Sequence, residues 1–110
     1  MKQTEIWYAD LNPVKGSEQS GFRPVVIVSG NLMNHYLNTV ICCPLTTKIK
    51  NYKGNIVLEP NAINHLKEKS EILTSHIRSV SKERLIKPLG KISKTELETL
   101  IKNLNDILRY

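Results

Sequence analysis

The run Pro24-Val25-Val26-Ile27-Val28-Ser29 narrows the choice of fold more than any other part of the chain. Its β-branched side chains are stiff and suit a pleated strand, and successive residues of a strand point to opposite faces. This strand is therefore apolar on both faces and reads as a central one. Before it, Ile6-Trp7-Tyr8-Ala9-Asp10-Leu11 is rich in β-formers and ends at Asn12-Pro13. After it, residues 39–45 form a third strand. Pro44 predicts that this strand leaves the sheet or lies at an edge there, which places Thr46 and Thr47 at a rim.

Shorter elements fill the remainder. Leu32, Met33, Tyr36 and Leu37 are spaced for one or two helical turns, with His35 at the surface. Asn55-Ile56-Val57-Leu58 reads as a short strand and residues 61–69 as a short helix with Ala62, Ile63 and Leu66 inward. Residues 70–80 read as one long β segment. Period-two geometry puts Thr74, His76 and Arg78 on one face of it and Leu73, Ser75 and Ile77 on the other. Ser81-Lys82-Glu83-Arg84-Leu85 follows as a turn. The last element is the plainest: Ser93-Lys94-Thr95-Glu96 is a capping box, and Leu97, Leu100, Ile101, Leu104, Ile107 and Leu108 make a stripe of period 3.6. That helix packs on the sheet or on a partner. With 110 residues there is room for one core, so residues 1–110 are expected to form a single, mainly β (α+β) domain.

The charge balance sets the class of partner. Sixteen Lys and Arg against ten Asp and Glu give +6, which favours acidic partners such as nucleic acid, an anionic surface or an acidic protein. No apolar run is long enough to span a bilayer, and Met1-Lys2-Gln3-Thr4-Glu5 contains no apolar signal region, so the expected location is the cytoplasm. Cys42 and Cys43 are sequence neighbours on a strand and should point to opposite faces. A bridge between them would be strained, so both are expected reduced and at least half-buried. No carboxylates, histidines or cysteines stand at metal-ligand spacing, and neither a metal nor another cofactor is expected.

Two loops carry the candidate chemistry. Gly16-Ser17-Glu18-Gln19-Ser20-Gly21-Phe22-Arg23-Pro24 joins the first two strands, and a fixed arginine beside glycines suits the grip of a phosphate. Lys48-Ile49-Lys50-Asn51-Tyr52-Lys53-Gly54 is basic with a tyrosine inside it. It reads either as a solvated hairpin loop or as a phosphate-tracking patch with Tyr52 free to stack on a base. Trp7 reads as a core or interface anchor or as a stacking platform. The Thr74, His76 and Arg78 row reads as structural hydrogen bonding or as part of a site.

Taken together, Glu5-Ile6-Trp7 with Asp10-Leu11-Asn12-Pro13, the GSEQSGFRPV loop, Pro44-Leu45-Thr46-Thr47 and residues 77–85 with the closing helix resemble the MazF/PemK toxins of bacterial toxin-antitoxin systems. The resemblance implies an SH3-like small β-barrel of the CcdB/PemK type, usually a homodimer. It also implies a metal-independent endoribonuclease that cuts single-stranded mRNA and is held inactive by a cognate antitoxin. On it, Arg23 matches the catalytic arginine and Thr46 the threonine that ends the third strand. His76 is a candidate acid-base group, because this chain has Ser75-His76 where the family usually has an acid followed by glutamine. Contact with RNA is assigned to Glu18, Gln19, Ser20, Thr47, Lys48, Tyr52 and Arg78. The rival readings are a CcdB-like poison that binds gyrase and a non-catalytic or degenerate RNA-binding homologue.

Overall fold

The computed structural model describes residues 1–12 and 21–110, so the calls on Gly16, Glu18, Gln19 and Ser20 fall outside the described residues. In chain order the elements are β1 (Glu5–Asp10), β2 (Phe22–Ile27), α1 (Asn31–Tyr36), β3 (Thr39–Thr46), β4 (Ile56–Leu58), β5 (Ser70–Ile72), β6 (Arg78–Ser81), β7 (Leu85–Lys91) and α2 (Lys94–Arg109). The strands run in the order β4-β5-β3-β2-β1-β7, with β6 paired to β3 outside that path. All the pairings are antiparallel. Among the described residues β4 and β7 do not pair, so the sheet is open and the SH3-like barrel is only an approximate description.

The central strand buries side chains on both faces, as its composition requires. Val26 and Val28 join Ile6, Cys43, Leu45, Ile72 and Ile92 in the core beneath α2, where Leu97 and Leu100 cover them. Val25 and Ile27 join Ala9, Leu11, Val40, Cys42, Val80 and Leu85 in a second cluster. Cys42 and Cys43 fall one in each cluster, both free and buried. Burial pushes each thiol up to about 12, with the Arg78 charge pulling Cys42 the other way.

Three expectations need correction and a fourth is met only in part. First, β3 does not stop at Pro44 or lie at an edge there. It continues to Thr46, with Pro44 opposite Val25 of β2. Its other flank pairs with β6 over Thr39 to Cys42 and with β5 at Leu45 and Thr46, so the proline sits where β3 exchanges partners. Second, residues 70–80 are not one strand. A 3-10 turn at Thr74–His76 separates β5 from β6, which breaks the period-two row. Thr74 is fully buried, its hydroxyl donating to the Gly54 carbonyl at 3.2 Å, while Arg78 lies in β6 opposite Cys42.

Third, residues 61–69 form turns rather than a helix, and Ala62 and Ile63 are exposed. Side chains dictate this shape. Asn61 Oδ1 accepts from the Ile63 and Asn64 N–H groups, and Asn64 Oδ1 from those of Asn61 and Leu66, which are local bonds that compete with helix. Fourth, the stripe on α2 outruns its cover. The capping box forms, with Ser93 Oγ accepting from Glu96 N at 3.0 Å and Glu96 Oε1 from Ser93 N at 2.7 Å. Leu97 and Leu100 are buried, but Ile101, Ile107 and Leu108 are exposed.

The neck of the β1–β2 connection is closed by hydrogen bonds. Leu11 N–H donates to the Gly21 carbonyl at 3.0 Å, and Gly21 N–H to Asn12 Oδ1 at 3.1 Å. Gly21 has φ +76, a left-handed conformation that favours glycine. From the β7 flank of β1 the Arg84 guanidinium donates to the carbonyls of Asp10 and Asn12. No helix is long and apolar enough to cross a membrane among the described residues.

Candidate functional site

Where β2 begins and β3 ends, beside residues 48–55, the surface opens into a groove of about 670 Å³. Arg23, Thr46 and His76 all line it, and so do Thr47, Lys48 and Tyr52. Strand register explains the first pair. Val25 faces Pro44 and Val26 faces Cys43, and extending that ladder by two residues sets Arg23 opposite Thr46. Arg23 is half-buried, and its Nη1 donates to the Leu45 carbonyl at 3.3 Å. Thr46 Oγ1 accepts from Lys48 N at 3.2 Å, which ties the start of the basic loop to the end of β3. His76 reaches the groove because the 3-10 turn carries it there, not because of a strand face shared with Arg78. Arg78 is not one of the groove's walls.

The basic loop has an internal anchor that no sequence motif singles out. Glu71 on β5 is fully buried, opposite Thr46 of β3 and Val57 of β4. Its carboxylate accepts the backbone N–H groups of Lys50, Asn51 and Tyr52 at 2.8, 2.9 and 3.0 Å and the Asn55 amide at 2.8 Å. Burial by itself would raise this carboxyl. The Asn55 amide and the three backbone donors outweigh it and hold the group below its ordinary value. Asn55 Oδ1 in turn accepts from Thr74 N at 3.1 Å, so β5, the 3-10 turn and the loop are fastened into one unit. The loop is thereby preformed, with Lys48, Lys50 and Tyr52 directed at the groove.

Chemically, the groove offers a fixed guanidinium with a hydroxyl and an imidazole along its walls, and lysines beside them. That set can hold an anionic ester, stabilise added charge on phosphorus and move a proton. A family model described as "PemK-like, MazF-like toxin of type II toxin-antitoxin system" matches residues 2–108. The chain belongs to this toxin family.

Among curated relatives, endoribonuclease MazF of Staphylococcus saprophyticus is 36% identical over 108 residues, spanning 97% of this chain and 89% of that protein. Endoribonuclease EndoA of Bacillus subtilis is 36% identical over 86 residues, spanning 77% of this chain and 74% of that protein. Two solved structures share the fold. MazF from Deinococcus radiodurans superposes with a TM-score of 0.86 at 24% identity, covering 100% of this chain and 97% of that one. A MazE–MazF complex from the same organism gives 0.77 at 22%, covering 98% and 95%.

In this PemK/MazF-family chain the groove also has walls that the sequence reading passed over. Tyr8, Phe22 and Pro24 form one side, and Leu45, Leu73 and Glu71 contribute to the floor. Tyr8 and Phe22 could have been found from β-strand alternation, since Tyr8, Asp10, Phe22 and Pro24 share a sheet face. Glu71 left no comparable signal, because a buried carboxylate is recognised by its donors and those lie far away in sequence. Trp7 is half-buried against the second cluster and donates its indole N–H to Glu5 Oε1 at 3.0 Å, which fits the anchor reading and not a platform in this groove.

Proposed function

We propose that this chain is a metal-independent endoribonuclease toxin that cuts single-stranded RNA and is neutralised by a cognate antitoxin. The observation that carries the reading is the convergence of Arg23, Thr46 and His76 in one groove walled by a preformed basic loop. In the proposed reaction the substrate's 2′-oxygen attacks the adjacent phosphorus as its proton departs. The P–O5′ bond then breaks and the 5′-oxygen takes up a proton, leaving a 2′,3′-cyclic phosphate and a 5′-hydroxyl. Arg23 holds the phosphoryl oxygens and stabilises the charge of the phosphorane with its fork of donors. Thr46 orients the 2′-hydroxyl or the phosphate from the opposite strand. Arg23 and Thr46 carry the chemistry in this reading, with His76 adjusting rate or specificity.

RNA contact is assigned to Thr47, Lys48 and Tyr52 in the groove and, from the family motif, to Glu18, Gln19 and Ser20. The relatives' names, endoribonuclease MazF and EndoA, support the activity, and a solved MazE–MazF neighbour supports an antitoxin partner. A homodimer follows the family pattern. The deciding experiment incubates the purified protein in EDTA with single-stranded RNA and with the same oligonucleotide carrying 2′-deoxy substitutions. Cleavage of the RNA only, with cyclic phosphate ends, is expected. Cleavage of both strands, or of neither over a broad set of sequences, overturns the proposal and favours a binding or gyrase-directed protein.

A further inference from the structure

Phe22, the chain's one phenylalanine, stands beside Arg23 with 57% of its surface exposed. This large aromatic ring at the mouth of a basic groove belongs to neither buried cluster, so core packing does not account for it. Nor is it a free-swinging side chain, because its ring lies 16° from parallel to that of Tyr8, with centroids 6.3 Å apart. That is an offset stack within the favoured range. Tyr8 is half-buried between Pro24 of β2 and Lys87 of β7, and the Lys87 ammonium lies 6.0 Å from its ring centroid. Two rings on rigid strands therefore form a flat apolar step whose outer surface is Phe22. Arg23, Lys48 and Lys50 line the same groove as Phe22, and Lys87 lies over the Tyr8 ring.

We infer that Phe22, backed by Tyr8, is a base-stacking subsite for the nucleotide next to the phosphate gripped by Arg23. The inference rests on the RNA-cutting reading above and adds to it a residue that contacts substrate. A nucleobase is the occupant that fits. It presents a π-face of matching size, it arrives attached to phosphates that the neighbouring cations attract, and stacking tolerates any base, so the subsite adds affinity without dictating sequence. Because Phe22 follows Gly21 and precedes Arg23 in β2, the stacked base and the gripped phosphate are held by adjacent residues of one strand. Stacking there fixes the nucleotide's orientation relative to the guanidinium.

The test measures binding of an uncleavable 2′-deoxy-substituted RNA oligonucleotide to the wild-type protein and to Phe22→Ala, Phe22→Tyr and Phe22→Trp. A set of the same oligonucleotide with one abasic position moved along the strand is included. Phe22→Ala is expected to weaken binding about 10-fold to 100-fold, with the aromatic replacements restoring it. At one abasic position, wild type and Phe22→Ala should bind equally, because the base that stacks is gone. The salt dependence of Phe22→Ala should match wild type, since no phosphate contact is lost. Equal affinity of wild type and Phe22→Ala for the intact strand overturns the inference, as does a loss that persists at every abasic position or a changed oligomeric state with unchanged RNA affinity. If wild type cuts RNA but Phe22→Ala is indistinguishable from it, this subsite falls and the proposed activity stands. If wild type neither binds nor cuts RNA, both fall.

Discussion

Glu71 Oε2 accepts the backbone N–H of Tyr52 at 3.0 Å across 19 residues of chain, so a carboxylate on the sheet fixes the loop that walls the groove. Replacing it by glutamine keeps the shape but turns one acceptor oxygen into an amide that faces N–H donors. Buried donors left without a partner cost about 1–3 kcal/mol, so Glu71→Gln should lower the denaturation midpoint measurably. RNA cleavage should show a raised KM with a smaller change in kcat, because the loop's lysines lose their set positions while Arg23 and Thr46 stay. A Glu71→Gln protein with wild-type stability and KM argues against the anchor.

The same carboxylate predicts a pH dependence. Folding lowers its pKa from the ordinary 4.5, so its stabilisation is present above that value and is lost as pH falls through the lower folded value. Urea unfolding of wild type and Glu71→Gln between about pH 3 and pH 7 checks this: the stability gap should be full near neutrality and narrow in acid. A gap that stays constant across the range contradicts it.

Arg23→Ala should abolish cleavage, with a loss on the order of 100-fold to 1,000-fold or more if its donors stabilise the phosphorane. Arg23→Lys should recover little, because an ammonium lacks the planar fork. His76→Gln should change rate or sequence preference while cutting continues. Initial rates on one RNA for the three variants decide it, and near wild-type cutting by Arg23→Ala sinks the proposed chemistry.

Gly90 should not tolerate a side chain. A Cβ there would lie 2.3 Å from the Asn64 carbonyl oxygen and 2.6 Å from that of Ile63, both of them backbone atoms. The contact is part of the architecture, since Lys91 N–H donates to the Ile63 carbonyl at 3.1 Å. Gly90→Ala is expected to cost about 1–3 kcal/mol, read as a drop of several degrees in Tm. An unchanged Tm counts against this packing.

The thiols of Cys42 and Cys43, buried in separate clusters and pushed up to about 12, should resist a thiol-specific disulfide reagent at mildly alkaline pH in the folded protein. Both should react on addition of denaturant. Rapid labelling of the native protein contradicts their placement.

Elements whose evidence is local were legible in the sequence. Val25 to Val28 announce a two-sided strand, and Ser93 and Glu96 announce the helix they cap, because alternation and capping involve neighbours in the chain. Arg23 and Thr46 were legible as candidate site residues through the motifs around them, and both line the groove. The 3-10 turn at Thr74 was hidden, because its geometry answers to Asn55 and Gly54, residues that period-two counting does not see. Asn61 and Asn64 defeated the helical reading by bonding their own backbone. Ile101 and Leu108 fit the helical period as well as Leu97 does, yet both are exposed while Leu97, Leu100 and Leu104 take the contacts with the core. Glu71 is the extreme case, a charge that looks like surface until its four donors are brought together.

The clasp between Leu11 and Gly21, braced by Arg84 from the β7 flank of β1, ties the two ends of the β1–β2 connection to the scaffold. The strands on either side hold their register through their own ladder, from Ile6 facing Val26 to Asp10 facing Phe22. A variant altered only within residues 13–20 would keep every hydrogen bond of this clasp, with Arg23 two residues beyond Gly21 in β2.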